Sequence, residues 1–208
     1  MIVTDKMLKE KYHNYVNVYS KINSEIKKGN LIRVVRGIYE TNPNVSNYLL
    51  ASSVCSPSYI SFDFALYLYG LIPERAVNCT SATYDKRKKK VYHTSFGDYI
   101  FYDVPKNVYQ YGIKIMEEGE YGFWIATPEK ALCDKLYTLS PLKNLHEMEV
   151  MIFDDLRIYE DELYKFDMNL LKDIEENYHS TNVTLFYKFM RRLKDEQDTK
   201  WNVRKIWN

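Results

Sequence analysis

The chain is poor in the residues from which most small catalytic and metal centres are built. Its three cysteines, Cys55, Cys79 and Cys133, are odd in number, far apart and contain no CxxC pair. The four histidines, at positions 13, 93, 146 and 179, do not cluster. That pattern supplies neither a disulfide framework nor a zinc site. Seven glycines leave no phosphate-cradling loop. No apolar run reaches the roughly 18 residues of a membrane span, and MIVTDKMLKEKY has no signal-peptide core. Charge of one sign is also missing in bulk: the net is +1, so any contact with nucleic acid must rest on local concentration. The expectation is a reduced, cytoplasmic protein with no cofactor, no metal and no catalytic residues.

Apolar residues make up 46% of the 208, enough for a real core, and 20 residues are tyrosine. Charge is unevenly placed. Residues 1–40 hold eight basic side chains against four acidic ones, a net of +4. Residues 146–178 hold eleven acidic side chains against three basic ones, a net of −8. The stretch from Lys188 to Lys205 is basic again. Segments of opposite sign point to different jobs. The acidic segment reads as a solvated helical surface or as a docking face for a basic partner. The basic tail could pair with it in this chain or in a neighbouring copy.

Turn formers cluster in TNPNVSN, 41–47, and suggest a boundary there. Before it, Thr4 is a good N-cap for a first helix, with Leu8 and Tyr12 on one face. A second helix over about 17–28 carries Val18, Ile22 and Ile26 as its inner stripe and stops at Gly29. Strands over 31–35 and 38–41 flank a bend at Arg36-Gly37. After the boundary, helices are expected over 46–54 and 61–71. Strands follow over 76–84, 90–95, 98–104, about 109–116 and 121–126. Thr127, Pro128 and Glu129 open a further helix, and the remainder is helical.

Helices followed by a two-stranded hairpin are the plan of a winged helix-turn-helix. Ser20, Lys21, Asn23, Ser24, Lys27 and Lys28 lie off the apolar stripe of the second helix, and Arg33 and Arg36 sit on the hairpin. Serine and asparagine can bond base edges, while lysine and arginine neutralise phosphate. The competing reading is a small structural or protein-docking subdomain. A second basic run, Lys86, Arg87, Lys88, Lys89 and Lys90, lies between two strand-like segments. It forms or flanks a hairpin turn, and reads as a solvated turn or as a second phosphate contact. In TPEKALCDKLY, Cys133 reads as a small core residue, and Lys130 and Asp134 as a weak i,i+4 pair on another face. Asp98, Asp103, Glu129 and Lys130 could be assembled into a metal nuclease, but no acidic-x-Lys strand signature accompanies them.

Four blocks, SKINSEIKKGNLIRVVRGIYET, LASSVCSPSYISFDFALYLYGLIPE, TSATYDKRKKK and IATPEKALCDKLYTLSP, resemble AbiEi-type antitoxins of type IV toxin–antitoxin systems. The resemblance implies an α+β protein. A winged helix-turn-helix, here shortened, would occupy 1–43. A larger mixed α/β antitoxin domain, with a mainly antiparallel sheet and C-terminal helices, would occupy 44–208. It implies a non-enzymatic repressor that binds inverted repeats of double-stranded DNA in its own promoter, with two copies on DNA. It also implies a functional partner, a nucleotidyltransferase toxin, countered without a stable complex. The reading helix would match about 19–28 and the wing 31–41. A three-helix winged domain does not fit into the 28 residues before the hairpin, so one helix must be very short or missing.

Overall fold

The computed structural model describes the backbone through Ile206 and side chains through Gln197. Strand β1 (Ile2–Thr4) runs straight into helix α1 (Asp5–Lys11), and α2 (Val18–Lys27) follows. Strands β2 (Ile32–Val35) and β3 (Ile38–Glu40) come next. A 3-10 turn over Asn47–Leu50 leads through α3 (Ala51–Val54) and β4 (Tyr59–Ile60) to α4 (Phe62–Leu68). The middle of the chain is β5 (Cys79–Thr83), β6 (Lys90–Thr94), β7 (Gly97–Asp103), β8 (Ile113–Glu118) and β9 (Tyr121–Ala126). Helices complete it: α5 (Pro128–Tyr137), then α6 (Leu145–Val150), which passes into a π-helical turn over Met151–Asp155. After these come α7 (Glu160–Leu163), α8 (Met168–Tyr178) and α9 (Thr181–Ile206). The class is α+β.

Two compact units emerge, each discontinuous in sequence. One comprises Met1–Ile60, Val77–Asp103 and Ile115–Ile125, the other Ser61–Ala76, Val104–Lys114 and Ala126–Asn208.

In the first unit a three-stranded antiparallel sheet has the order β1-β3-β2. Val3, Leu8, Ile22, Leu31 and Tyr39 form its buried cluster, with Tyr12, Val18 and Ile26 packed against it. These are the stripes that the spacing of α1 and α2 requires. Thr4 and Asn17 cap the two helices by accepting from Met7 N and Ser20 N. Gly29 adopts φ +77°, the left-handed stop that a Cβ would strain. Strand β1 had no counterpart in the sequence reading. It has three residues, too few to display an alternation.

The six-stranded sheet has the order β6-β7-β5-β4-β9-β8. It is mixed: β5 pairs with β7 and β4 with β9 in parallel, while β6/β7 and β4/β5 are antiparallel. Strands β5 and β6 flank β7 on opposite sides, so the basic run between them crosses over β7. The run therefore does not form a hairpin turn between its two flanking strands; it leads into the antiparallel β6/β7 hairpin, which it flanks. Adjacent strand segments suggest a hairpin, but β7 takes the pairing position.

In the second unit α5 packs against α4, α8 and α9. Thr127 caps it by accepting from Lys130 N, and Pro128 stands in its first turn. Enclosure on three sides buries Ala131, Leu132, Cys133 and Leu136, but also Lys130 and Asp134, both at 0% exposure. The expected weak surface pair is thus an interior ion pair of 2.6 Å. Ser61 Oγ and Tyr178 OH donate to Asp134 at 2.6 and 2.8 Å. The Lys130 ammonium lies 4.7 Å over the Tyr178 ring. Gly112, at φ +61°, allows this closeness: a Cβ there would come within 2.8 Å of Lys130 Cβ.

Candidate nucleic-acid interface

Helix α2 separates its residues cleanly. Ile22 is buried and Ile26 half-buried, while Ser20, Asn23, Lys27 and Lys28 are exposed. Ser24 and Lys21 are half-buried. Five of the six polar candidates therefore sit on α2 and the sixth, Lys28, is its C-cap; four of the six are open to solvent.

Lys21 differs from the rest. Its ammonium bonds Glu25 at 2.6 Å and lies 5.1 Å over the Tyr15 ring and 5.5 Å over that of Tyr12. Glu25 also accepts from Asn30 Nδ2 at 2.7 Å, and Lys28 stands 3.8 Å away. Those donors, Asn30 first and Lys21 next, hold the Glu25 carboxyl down at about 2. Lys21 is committed to the packing of α1 against α2, and its charge is largely matched.

The β2–β3 hairpin is tied to the start of α1. Asp5 N donates to the Gly37 carbonyl at 2.8 Å, and Tyr39 OH donates to Asp5 Oδ1 at 3.0 Å. These bonds fix the bend and leave Arg36 exposed at its tip. Arg33 is exposed too, its guanidinium 5.8 Å over the Tyr39 ring.

The second basic run is held from below. Asp103, at the end of β7, accepts from the backbone N–H groups of Lys86 and Arg87. Lys86 Nζ donates to the Ser56 carbonyl at 3.3 Å, and Lys89 Nζ lies 5.3 Å over Tyr102. Arg87, Lys88 and Lys89 are exposed, Lys86 and Lys90 half-buried. The opposite end of β6 reaches the first basic group: Ser95 Oγ donates to the Arg33 carbonyl at 3.3 Å. One edge strand thus spans the two groups. Five residues make its length about 17 Å.

Aromatic residues on α2 and just before it escaped the sequence reading. Tyr15 and Tyr19 are about half exposed, and Lys9 Nζ lies 5.1 Å over Tyr19. The alternation of tyrosine and lysine in KYHNYVNVYSK was their signal.

The carboxylates of the nuclease reading each have another partner. Asp98 faces His93 Nδ1 at 2.8 Å, and Asp103 binds the loop described above. Glu129 accepts from Asp167 N at 2.9 Å. Among the described residues no three histidine, cysteine, aspartate or glutamate side chains converge as a metal site. The three cysteines are buried thiols. Burial pushes Cys79 up to about 12 and raises Cys133 further. No helix of the described residues is long and apolar enough to cross a membrane.

No protein-family model matches the chain, and no curated protein matches its sequence.

Proposed function

We propose that this chain is a DNA-binding antitoxin that represses its own operon and counters a nucleotidyltransferase toxin. The observation that carries the DNA-binding half is the N-terminal topology. A short strand, two helices and a hairpin, with sheet order β1-β3-β2, support reading this segment as a winged helix-turn-helix reduced to two helices. In that arrangement α2 enters the major groove and the hairpin is the wing. Asn23 and Ser20 would bond base edges, while Lys27, Lys28 and Arg36 would neutralise phosphates. The loop 86–90 adds a second phosphate contact. A separation of about 17 Å corresponds to roughly five base pairs at 3.4 Å each along one strand.

The antitoxin half rests on the four sequence blocks that resemble the AbiEi type. On this reading the protein works in the cytoplasm and carries out no chemistry of its own. Two copies would occupy an inverted repeat.

A second reading, a docking module that has lost DNA binding, is favoured by the engagement of Lys21 with Glu25. Binding of the full chain to duplexes from its own promoter decides between them. Retardation with a preference over random sequence supports the first. A captured protein partner without DNA retardation supports the second. The antitoxin half is tested separately, by co-expression with the product of the adjacent gene, which must restore growth.

A further inference from the structure

The turn that leads into α2 carries apolar side chains to which nothing above gives a role. Val16 is fully exposed, and Tyr15 and Tyr19 are 50% and 55% exposed. One exposed apolar residue needs no explanation, but these three fall within five consecutive positions. The two rings are held in place. Lys21 Nζ lies 5.1 Å over Tyr15, and Lys9 Nζ lies 5.1 Å over Tyr19. Tyr15 also meets Tyr12 edge to face, with centroids 5.8 Å apart. Rings fixed in this way lose little freedom on binding.

Two polar neighbours are committed to the backbone. Asn17 Oδ1 accepts from Ser20 N at 3.0 Å as the helix cap, and His13 Nδ1 donates to the Glu10 carbonyl at 2.8 Å. The charge brought to the rings is positive: Lys9 and Lys21, and Lys11 at 5.6 Å over Tyr12. An apolar tip beside ammonium groups suits a polyanion that displays small apolar groups between its phosphates. The DNA major groove has that chemistry, with a 5-methyl group at every thymine. In a helix-turn-helix the first residues of the reading helix meet base edges. An aliphatic side chain in that position has one base-edge group to recognise, the thymine methyl.

We propose that Val16 reads thymine. Its isopropyl group packs on 5-methyl groups in the major groove, and Tyr15 and Tyr19 close the contact to water. The proposal rests on the DNA-binding reading above and names what the front of α2 selects there. Ser20 and Asn23 meet bases further along the same helix.

Deoxyuridine tests it, because it pairs as thymidine does and lacks only the methyl group. Anisotropy titrations compare the full chain on a duplex from upstream of its own gene and on the same duplex with deoxyuridine at every thymidine. The wild type should bind the uracil duplex about fourfold more weakly or worse, the effect of one methyl group withdrawn from water. Val16→Ser should lose about fourfold on the thymine duplex and bind both duplexes nearly alike. Val16→Ile should keep the preference. The position is exposed, and circular dichroism verifies the fold of both variants. Equal wild-type affinity for the two duplexes overturns the proposal and leaves the DNA-binding reading standing. A preference that survives unchanged in Val16→Ser also overturns it, since the loss then belongs to the duplex. Failure to bind either duplex removes the DNA-binding reading itself, and the proposal with it.

Discussion

The Lys21 ammonium stands 2.6 Å from Glu25 Oε1, one helical turn away, and over two tyrosine rings. Lys27 and Arg36, in contrast, are exposed. This division decides which basic residues of the N-terminal block are available to phosphate. Alanine at Lys27 or Arg36 should weaken DNA binding across all sequences. It should also lower the slope of log K against log salt by about one each. Alanine at Lys21 should act mainly on stability, read as a lower urea midpoint. Equal slopes for wild type and all three variants would move the interface elsewhere.

Glu25 also makes the block sensitive to acid. Its folded carboxyl sits at about 2, against an ordinary 4.5. Folding lowers this pKa, so the contribution of ionised Glu25 is fully present above about 4.5 and fades as the pH falls through about 2. Urea midpoints at pH 7, 4 and 2.5 should therefore fall less steeply for Glu25→Gln than for the wild type. Parallel curves would remove Glu25 from the account.

The buried pair of α5 has larger consequences. Replacing Lys130 by Met takes the ammonium away from a fully buried carboxyl group, Asp134, to which Ser61 and Tyr178 also donate. The loss should be roughly 3–5 kcal/mol, as for other broken buried pairs. The double replacement Lys130→Met with Asp134→Leu should cost clearly less than the sum of the single ones. Additive losses in a denaturant-based double-mutant cycle would show that the two groups do not interact.

Thiol chemistry provides a quick check of the core. Cys55, Cys79 and Cys133 are all buried, and burial raises Cys79 and Cys133 away from the reactive thiolate. A colourimetric disulfide reagent should label none of them promptly in the native protein and all three in guanidinium. Rapid labelling of Cys133 in the folded state would contradict the packing described for α5.

Much of this architecture was legible in sequence because local signals carried it. Val18, Ile22 and Ile26 repeat at helical spacing, Gly29 supplies the stop, and Thr127-Pro128 opens α5. These features depend on neighbours a few residues away. What stayed hidden depends on distant partners. Strands β1 and β4 have three and two residues and exist through pairing with β3, β5 and β9. The parallel partners of β5 and β9 leave no mark in their own sequences. Lys130 and Asp134 have the spacing of a surface pair, and only the enclosure of α5 makes them interior. The candidate interface was legible as a set of residue types, but the commitment of Lys21 to Glu25 and the tyrosines required coordinates.

The most direct test of the central claim is an anisotropy titration of the full chain. Two labelled duplexes are compared across a salt series, one from the region upstream of its own gene and one with the same bases scrambled. The account predicts tighter binding to the native duplex at every salt concentration, with a steep salt dependence for both. Equal affinity for the two duplexes at moderate salt would contradict it.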